Sequence, residues 1–220
     1  MQHHHTQHQS QKFEAIIYDL DNTIFATRTM GSRIATYIID AILSDHDGRY
    51  AASDLADIKQ SLYVSALGDV AKAYQFPEGM LLAGKRALES VVFDQPLYPY
   101  NDHYVIEQLP LKSFLVTSGN KIFQTNKIKS LAIEHLFESI HIDDEDEPNR
   151  VGKEGIFRQI LEQLGCSPQQ IIVIGDNTLS EITAGNNLGM HTIQILRADV
   201  QKGDEAKQHI HSFVELTTMV

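Results

Sequence analysis

The chain has 220 residues, 42% of them hydrophobic and 21% charged, enough to bury a full α/β core together with one modest extra unit. A net charge of -11 with histidines neutral argues against a nucleic-acid polymer or an anionic membrane as partner, so a phosphorylated ligand must be attracted by local cations. A single cysteine, Cys166, excludes an intrachain disulfide framework, and neither a membrane-spanning apolar stretch nor the apolar core of a signal peptide is present; a cytoplasmic location is expected.

Residues 1–11 are polar and His-rich and are expected to form an unstructured tail outside the fold. The apolar run 15–18 has the length of a parallel strand covered on both faces, and it ends in Asp19 and Asp21. Side chains two apart on an extended chain point the same way. Both carboxylates therefore share a small volume beyond the strand's carboxyl end, where open α/β sheets place their ligands. Such a pair needs a divalent cation, or one carboxyl kept protonated as an acid. The alternative is a strand-end turn in which Asp21 and Asn22 cap the next helix.

About ninety residues separate Thr23 from Thr117, and their pattern predicts helices over 32–43, 53–74, 78–93 and 102–109. Breakers fall at Asp47-Gly48, at Pro77 and from Pro96 to Pro99. Ile34, Ile38, Ile39, Ile42 and Leu43 recur at helical spacing as one apolar face. Gly84-Lys85 is not a phosphate-binding loop, because the upstream glycine and the following Ser or Thr are missing.

A second strand, 113–116, ends in Thr117-Ser118-Gly119-Asn120, followed by a helix over 122–131 and a strand near 138–142. The five acids at 143–147 read as a solvated loop, with a second metal site as the alternative. Helix 152–164 is amphipathic through Ile156, Phe157, Ile160, Leu161 and Leu164, with Gly165 as its C-cap. Lys153 near its start is either an ordinary solvated lysine or a site cation, for which Arg150 could substitute. A third strand, 171–174, ends in Gly175-Asp176-Asn177, before a helix over 181–189 and a strand over 191–196. This alternation predicts a doubly wound parallel sheet. Three strand ends deliver polar residues, carboxylates suited to Mg²⁺ at the first and third and hydroxyls at the second; with backbone amides and the Lys153 ammonium for phosphate oxygens, this is the inventory of a phosphoryl-transfer site.

Asp19-Leu20-Asp21-Asn22-Thr23, Thr117 with Ser118-Gly119, Lys153, and Gly175-Asp176 with Glu181 resemble, in order, the four motifs of the haloacid dehalogenase superfamily of phosphohydrolases, over roughly residues 13–196. The resemblance is to members with a helical cap, of the phosphoglycolate phosphatase or nucleotidase-like kind. It implies an α/β core of residues 12–27 and 101–220 and a small α-helical cap of residues 28–100, hinged near 24–28 and 95–101. It further implies a Mg²⁺-dependent phosphatase acting on a small phosphorylated metabolite through an aspartyl-phosphate, with oligomeric state left open. Asp19 would be the nucleophile, and Asp21 the general acid and then the base. Thr117, Ser118 and Lys153 would bind the phosphoryl group. Asp19, Asp176 and the backbone carbonyl of Asp21 would hold the metal, leaving the Asp21 side chain free for proton transfer. Glu181 would act through a metal-bound water or by orienting Lys153, and stands where many relatives carry Asp. Lys153 also departs from the Lys-Pro of many relatives. A phosphomutase, or a non-catalytic binding or regulatory protein on the same scaffold, are the alternatives. Tyr63, Ser65, Gly68, Lys72, Lys85 and Arg86 are the cap positions to examine for substrate selection, each otherwise an ordinary surface group.

Overall fold

The computed structural model describes residues 13–64 and 67–220; the expected tail and Ser65 lie outside the described residues. Among the described residues, six strands form one sheet: β1 (Ala15–Tyr18), β2 (Lys112–Ser118), β3 (Ser139–Asp143), β4 (Ile171–Gly175), β5 (His191–Ile195) and β6 (Gln208–Ile210). All are parallel, in the order β3-β2-β1-β4-β5-β6. β1 and β4 are buried at every position, which explains their unbroken apolar runs: both faces are covered. Two hydrophobic clusters occupy the two faces, one around Ile16, Tyr18, Ile174 and Phe213, the other around Ile17, Phe114, Phe157 and Val173. The doubly wound fold class is as expected.

The helices are α1 (Ser32–Ser44), α2 (Ala52–Val64), α3 (Leu67–Tyr74), α4 (Glu78–Ser90), α5 (Val105–Gln108), α6 (Lys121–Leu131), α7 (Gly152–Leu164) and α8 (Thr183–Asn187). The single helix expected over 53–74 is two, α2 and α3, and the one expected over 102–109 shrinks to the single turn of α5. The helix expected from 181 begins instead with an irregular turn over Thr178–Ile182, where Ser180 takes non-helical dihedrals and Glu181 is buried. β6 has no counterpart in the sequence reading, because three residues carry too little periodicity to register. Helices α1 to α4 enclose their own apolar cluster of Ile42, Ile58, Val70 and Met80, to which the face read on the first helix contributes Ile42, with Ile38 and Leu43 packed against it. The two chain crossings to these helices lie side by side, with the Tyr100 amide donating to the Ile24 carbonyl at 2.8 Å.

Register sets where the chemistry sits. Tyr18 pairs with Leu115 on one side and Ile174 on the other, so Asp19, Thr117 and Asp176 emerge from one edge. β1 and β4 flank the point where the strand order reverses, the usual ligand crevice of such sheets. Arg197, behind that edge, donates twice to the Thr23 carbonyl, at 3.1 and 2.9 Å, and twice to Asp102, at 2.8 and 3.0 Å. Its guanidinium also faces the rings of Tyr100 and Phe213, at 4.0 and 4.8 Å. One buried cation thus ties the loop after β1 to residues 100–102 and the C-terminal segment.

Candidate active site

Beyond Tyr18 the backbone turns sharply. The Asp19 amide donates to the Ile174 carbonyl at 2.9 Å, and the amides of Thr23, Ile24 and Phe25 all converge on the Leu20 carbonyl. Asn22 completes the turn at φ 54°, a left-handed conformation that asparagine tolerates. This is a strand-end turn, as one reading had it, but it is built around a buried charge cluster.

Lys153 is buried, not solvated, and is the cation of that cluster. From the first turn of α7 its ammonium donates to Asp19 Oδ1 and to Glu181 Oε2, each at 2.7 Å. The other oxygen of Glu181 accepts from the Asn177 amide at 2.8 Å, which the irregular turn before α8 makes possible. Glu181 therefore orients Lys153, and both of its oxygens are engaged. A Cβ on Gly175 would overlap the Glu181 side chain, so only glycine at the end of β4 lets this carboxylate pass. Arg150 does not substitute for Lys153: it pairs with Asp143, at 2.7 and 2.6 Å.

Carboxylate oxygens of Asp19, Asp176 and Glu181 lie within 4.8 Å of one another. Burial raises Asp19 well above the ordinary carboxylate range, and the charges of Glu181 and Asp176 add to this against the attraction of Lys153. Asp176 is raised to about 7 by burial and by Glu181, again against Lys153. The Lys153 ammonium is held more firmly than usual although burial opposes it, through Asp19 and Glu181. Three carboxylates thus share a space with one ammonium, a deficit of positive charge that a hard divalent cation would relieve. The donor set fits Mg²⁺, with Asp19 and Asp176 the side chains best placed to hold it.

Asp21 differs from expectation. Its side chain is not free: Lys127 donates to both oxygens, at 2.8 and 3.0 Å, Gln124 to Oδ2 at 3.0 Å, and the Thr27 hydroxyl to Oδ1 at 3.1 Å. Burial alone would raise its pKa, but the Lys127 charge and these hydrogen bonds outweigh it and leave Asp21 below the ordinary range. Gln124 also reaches the Thr117 hydroxyl at 3.2 Å and the Ser118 carbonyl at 2.7 Å. The Ser118 side chain does not join Thr117; its hydroxyl donates to Asp143 at 3.0 Å. Gln124 and Lys127 escaped the sequence reading, yet they left a signal: two polar residues among Phe123, Ile128 and Leu131 on the buried side of α6.

The acids at 143–147 are not simply a solvated loop. Asp143 is buried on Arg150, Asp146 pairs with Lys85 of α4, and a Cβ on Gly68 would overlap the Glu145 side chain. Among the described residues these acids form no metal-holding group. Tyr63, Lys72 and Arg86 are exposed.

A doubly wound parallel sheet that gathers buried carboxylates, a hydroxyl and a lysine at the carboxyl edge of its central strands defines an α/β enzyme. The chain belongs to the haloacid dehalogenase-like hydrolase family, whose model matches residues 16–195. It is 24% identical over 211 residues to a glyceraldehyde 3-phosphate phosphatase of Methanopyrus kandleri, covering 86% of each chain. It is 32% identical over 79 residues to the enzyme of that name from Pyrococcus furiosus, 36% of this chain and 32% of that one. A HAD phosphatase structure from Thermococcus onnurineus shares the fold with a TM-score of 0.65 at 20% identity, covering 94% of this chain and 97% of that one. No helix among the described residues is long and apolar enough to cross a membrane.

Proposed function

We propose that this protein is a Mg²⁺-dependent phosphatase that hydrolyses a small phosphomonoester through a phosphorylated Asp19. The observation that carries this reading is the buried Asp19–Lys153–Glu181 ion triad with Asp176 beside it, two residues from a carboxyl group able to exchange a proton. Asp19 attacks phosphorus while the bond to the leaving oxygen breaks, and that oxygen takes its electron pair and the proton of Asp21. Water then attacks the acyl phosphate, Asp21 takes the water's proton, and inorganic phosphate departs, restoring both carboxyl groups. Asp21 rests as a carboxylate; an arriving phosphate dianion favours its protonation by like-charge repulsion. Lys153 offsets charge on Asp19 and on the transferring group, while the Thr117 hydroxyl binds a phosphate oxygen. Bound Mg²⁺ would supply Lewis-acid stabilisation of the phosphoryl oxygens and complete the neutralisation of Asp19 and Asp176.

Residues 28–100 serve as a cap on the core of residues 12–27 and 101–220. Supporting this are the separate apolar cluster of the first four helices and the paired crossings at Ile24 and Tyr100. The Lys85–Asp146 pair would fasten the cap over the site, excluding water from the phosphoryl group. The single cysteine fits a cytoplasmic setting. Glyceraldehyde 3-phosphate, the ester in the relatives' names, is the first to try.

The test is phosphate release from glyceraldehyde 3-phosphate, phosphoglycolate, sugar phosphates, nucleoside monophosphates and 4-nitrophenyl phosphate, with and without Mg²⁺. Metal-dependent release that is lost in Asp19→Asn is expected. Transfer of the phosphoryl group to a sugar hydroxyl without release would instead favour the mutase, and inertness toward every ester by folded protein would leave the non-catalytic scaffold.

A further inference from the structure

Lys127 is 2% exposed and Gln124 4%, an unusual place for either side chain. They stand three residues apart on α6, hence on one face, and both end on Asp21, a carboxylate more than a hundred positions earlier in the chain. The orientation of the Gln124 amide is decided by chemistry. Turned the other way, its oxygen would face the Asp21 carboxylate and the Ser118 carbonyl, two acceptors. Keeping the NH₂ there leaves Gln124 Oε1 buried with no hydrogen-bond partner, an arrangement native structures seldom retain without use. Gly119 makes room for this amide: its φ is +131°, and a Cβ there would stand 3.3 Å from Gln124 Nε2. Lys127 in turn lies over the Phe123 ring at 4.9 Å, so its stem is fixed as well as its charge. Held by these groups and by Thr27, the Asp21 side chain still keeps 28% of its surface open.

We propose that Gln124 and Lys127 are positioning residues for Asp21, fixing its carboxyl group for proton transfer at the leaving-group oxygen and, through Gln124, keeping it in register with the Thr117 hydroxyl. This rests on the phosphatase reading, in which Asp21 exchanges that proton. Because kcat/KM covers events only through departure of the leaving group, it isolates the acid step: an ester whose alcohol is a poor leaving group needs the proton, and a nitrophenyl ester does not.

The experiment measures kcat/KM for the full chain with Mg²⁺ on a series running from 4-nitrophenyl phosphate to simple alkyl phosphates. Lys127→Met and Gln124→Leu are compared with wild type, and Lys127→Arg serves as the conservative rescue. A loss of about 10²-fold on alkyl esters, far smaller on the nitrophenyl ester and partly restored by arginine, is expected from the usual worth of general acid catalysis. An equal loss across the series, or no loss, overturns the proposal, because a purely structural role has no reason to follow leaving-group basicity. If Lys127→Met fails to fold, Gln124→Leu carries the same slope test. A wild type that cleaves no ester refutes the phosphatase reading and this inference with it, whereas an active wild type with uniform losses refutes only the inference.

Discussion

Replacing Lys153 with methionine keeps the length of the side chain and removes the one ammonium bonded to both Asp19 and Glu181, at 2.7 Å each. The three side chains are 8%, 7% and 2% exposed, so solvent gives little screening. Orphaning a buried ion pair costs about 3–5 kcal/mol. For a chain of this size each kcal/mol corresponds to about 2–4 °C in Tm, so metal-free Lys153→Met should melt about 6–20 °C below wild type. The deficit depends on pH in a definite direction. Asp19 already has a raised folded pKa, and losing the Lys153 charge raises it further. A group raised on folding contributes stability below its unfolded pKa and loses it as pH rises through the folded value. The variant should therefore lie closer to wild type at acid pH than at alkaline pH, and Mg²⁺ should recover part of the difference by binding the native state. Thermal unfolding followed by circular dichroism in EDTA, at an acid and an alkaline pH, measures this. A variant melting within about 2 °C of wild type at the higher pH would show that the triad carries no net charge burden, and the reasoning would fail.

Because Asp176 must lose its proton to hold a metal and is raised to about 7, Mg²⁺ affinity should weaken as pH falls below that value, by up to about tenfold per unit, and level off above it. Titration calorimetry checks this, and an affinity flat from acid to neutral pH would contradict it. Gly175→Ala forces Glu181 away from Lys153 and the Asn177 amide; Tm and kcat should fall together, and unchanged values for both would remove Glu181 from the design. Arg197→Met leaves Asp102 charged and nearly buried and the Thr23 carbonyl without its donors. A loss of about 3–5 kcal/mol in denaturant unfolding is expected, and a midpoint equal to that of wild type would count against the clamp.

Much of this was legible in the chain itself, for a physical reason. A parallel strand covered on both faces must be apolar throughout, so the runs at 15–18 and 171–174 marked β1 and β4. Polar residues that end such runs must lie at the carboxyl edge, which singled out Asp19, Asp21, Thr117 and Asp176 in advance. These are statements about neighbours in sequence, where periodicity and local chemistry act. Lys153 was legible only as a position near a helix start, since the same residue could as well have been solvated.

Tertiary structure decided the partners. Packing α7 against the sheet carried Lys153 onto Asp19, and the irregular turn after β4 delivered Glu181 to the same ammonium. Packing α6 against the same edge put Gln124 and Lys127 on Asp21, although nothing near Asp21 in sequence foretells a lysine. The acids at 143–147 became a junction with Arg150 and Lys85, where composition alone suggested a wet loop. Charge pairing at a distance, like the order of strands across the sheet, depends on which surfaces the fold presses together, and a one-dimensional pattern holds no record of that; the places where the buried central strands end, which follow from local burial, it does record.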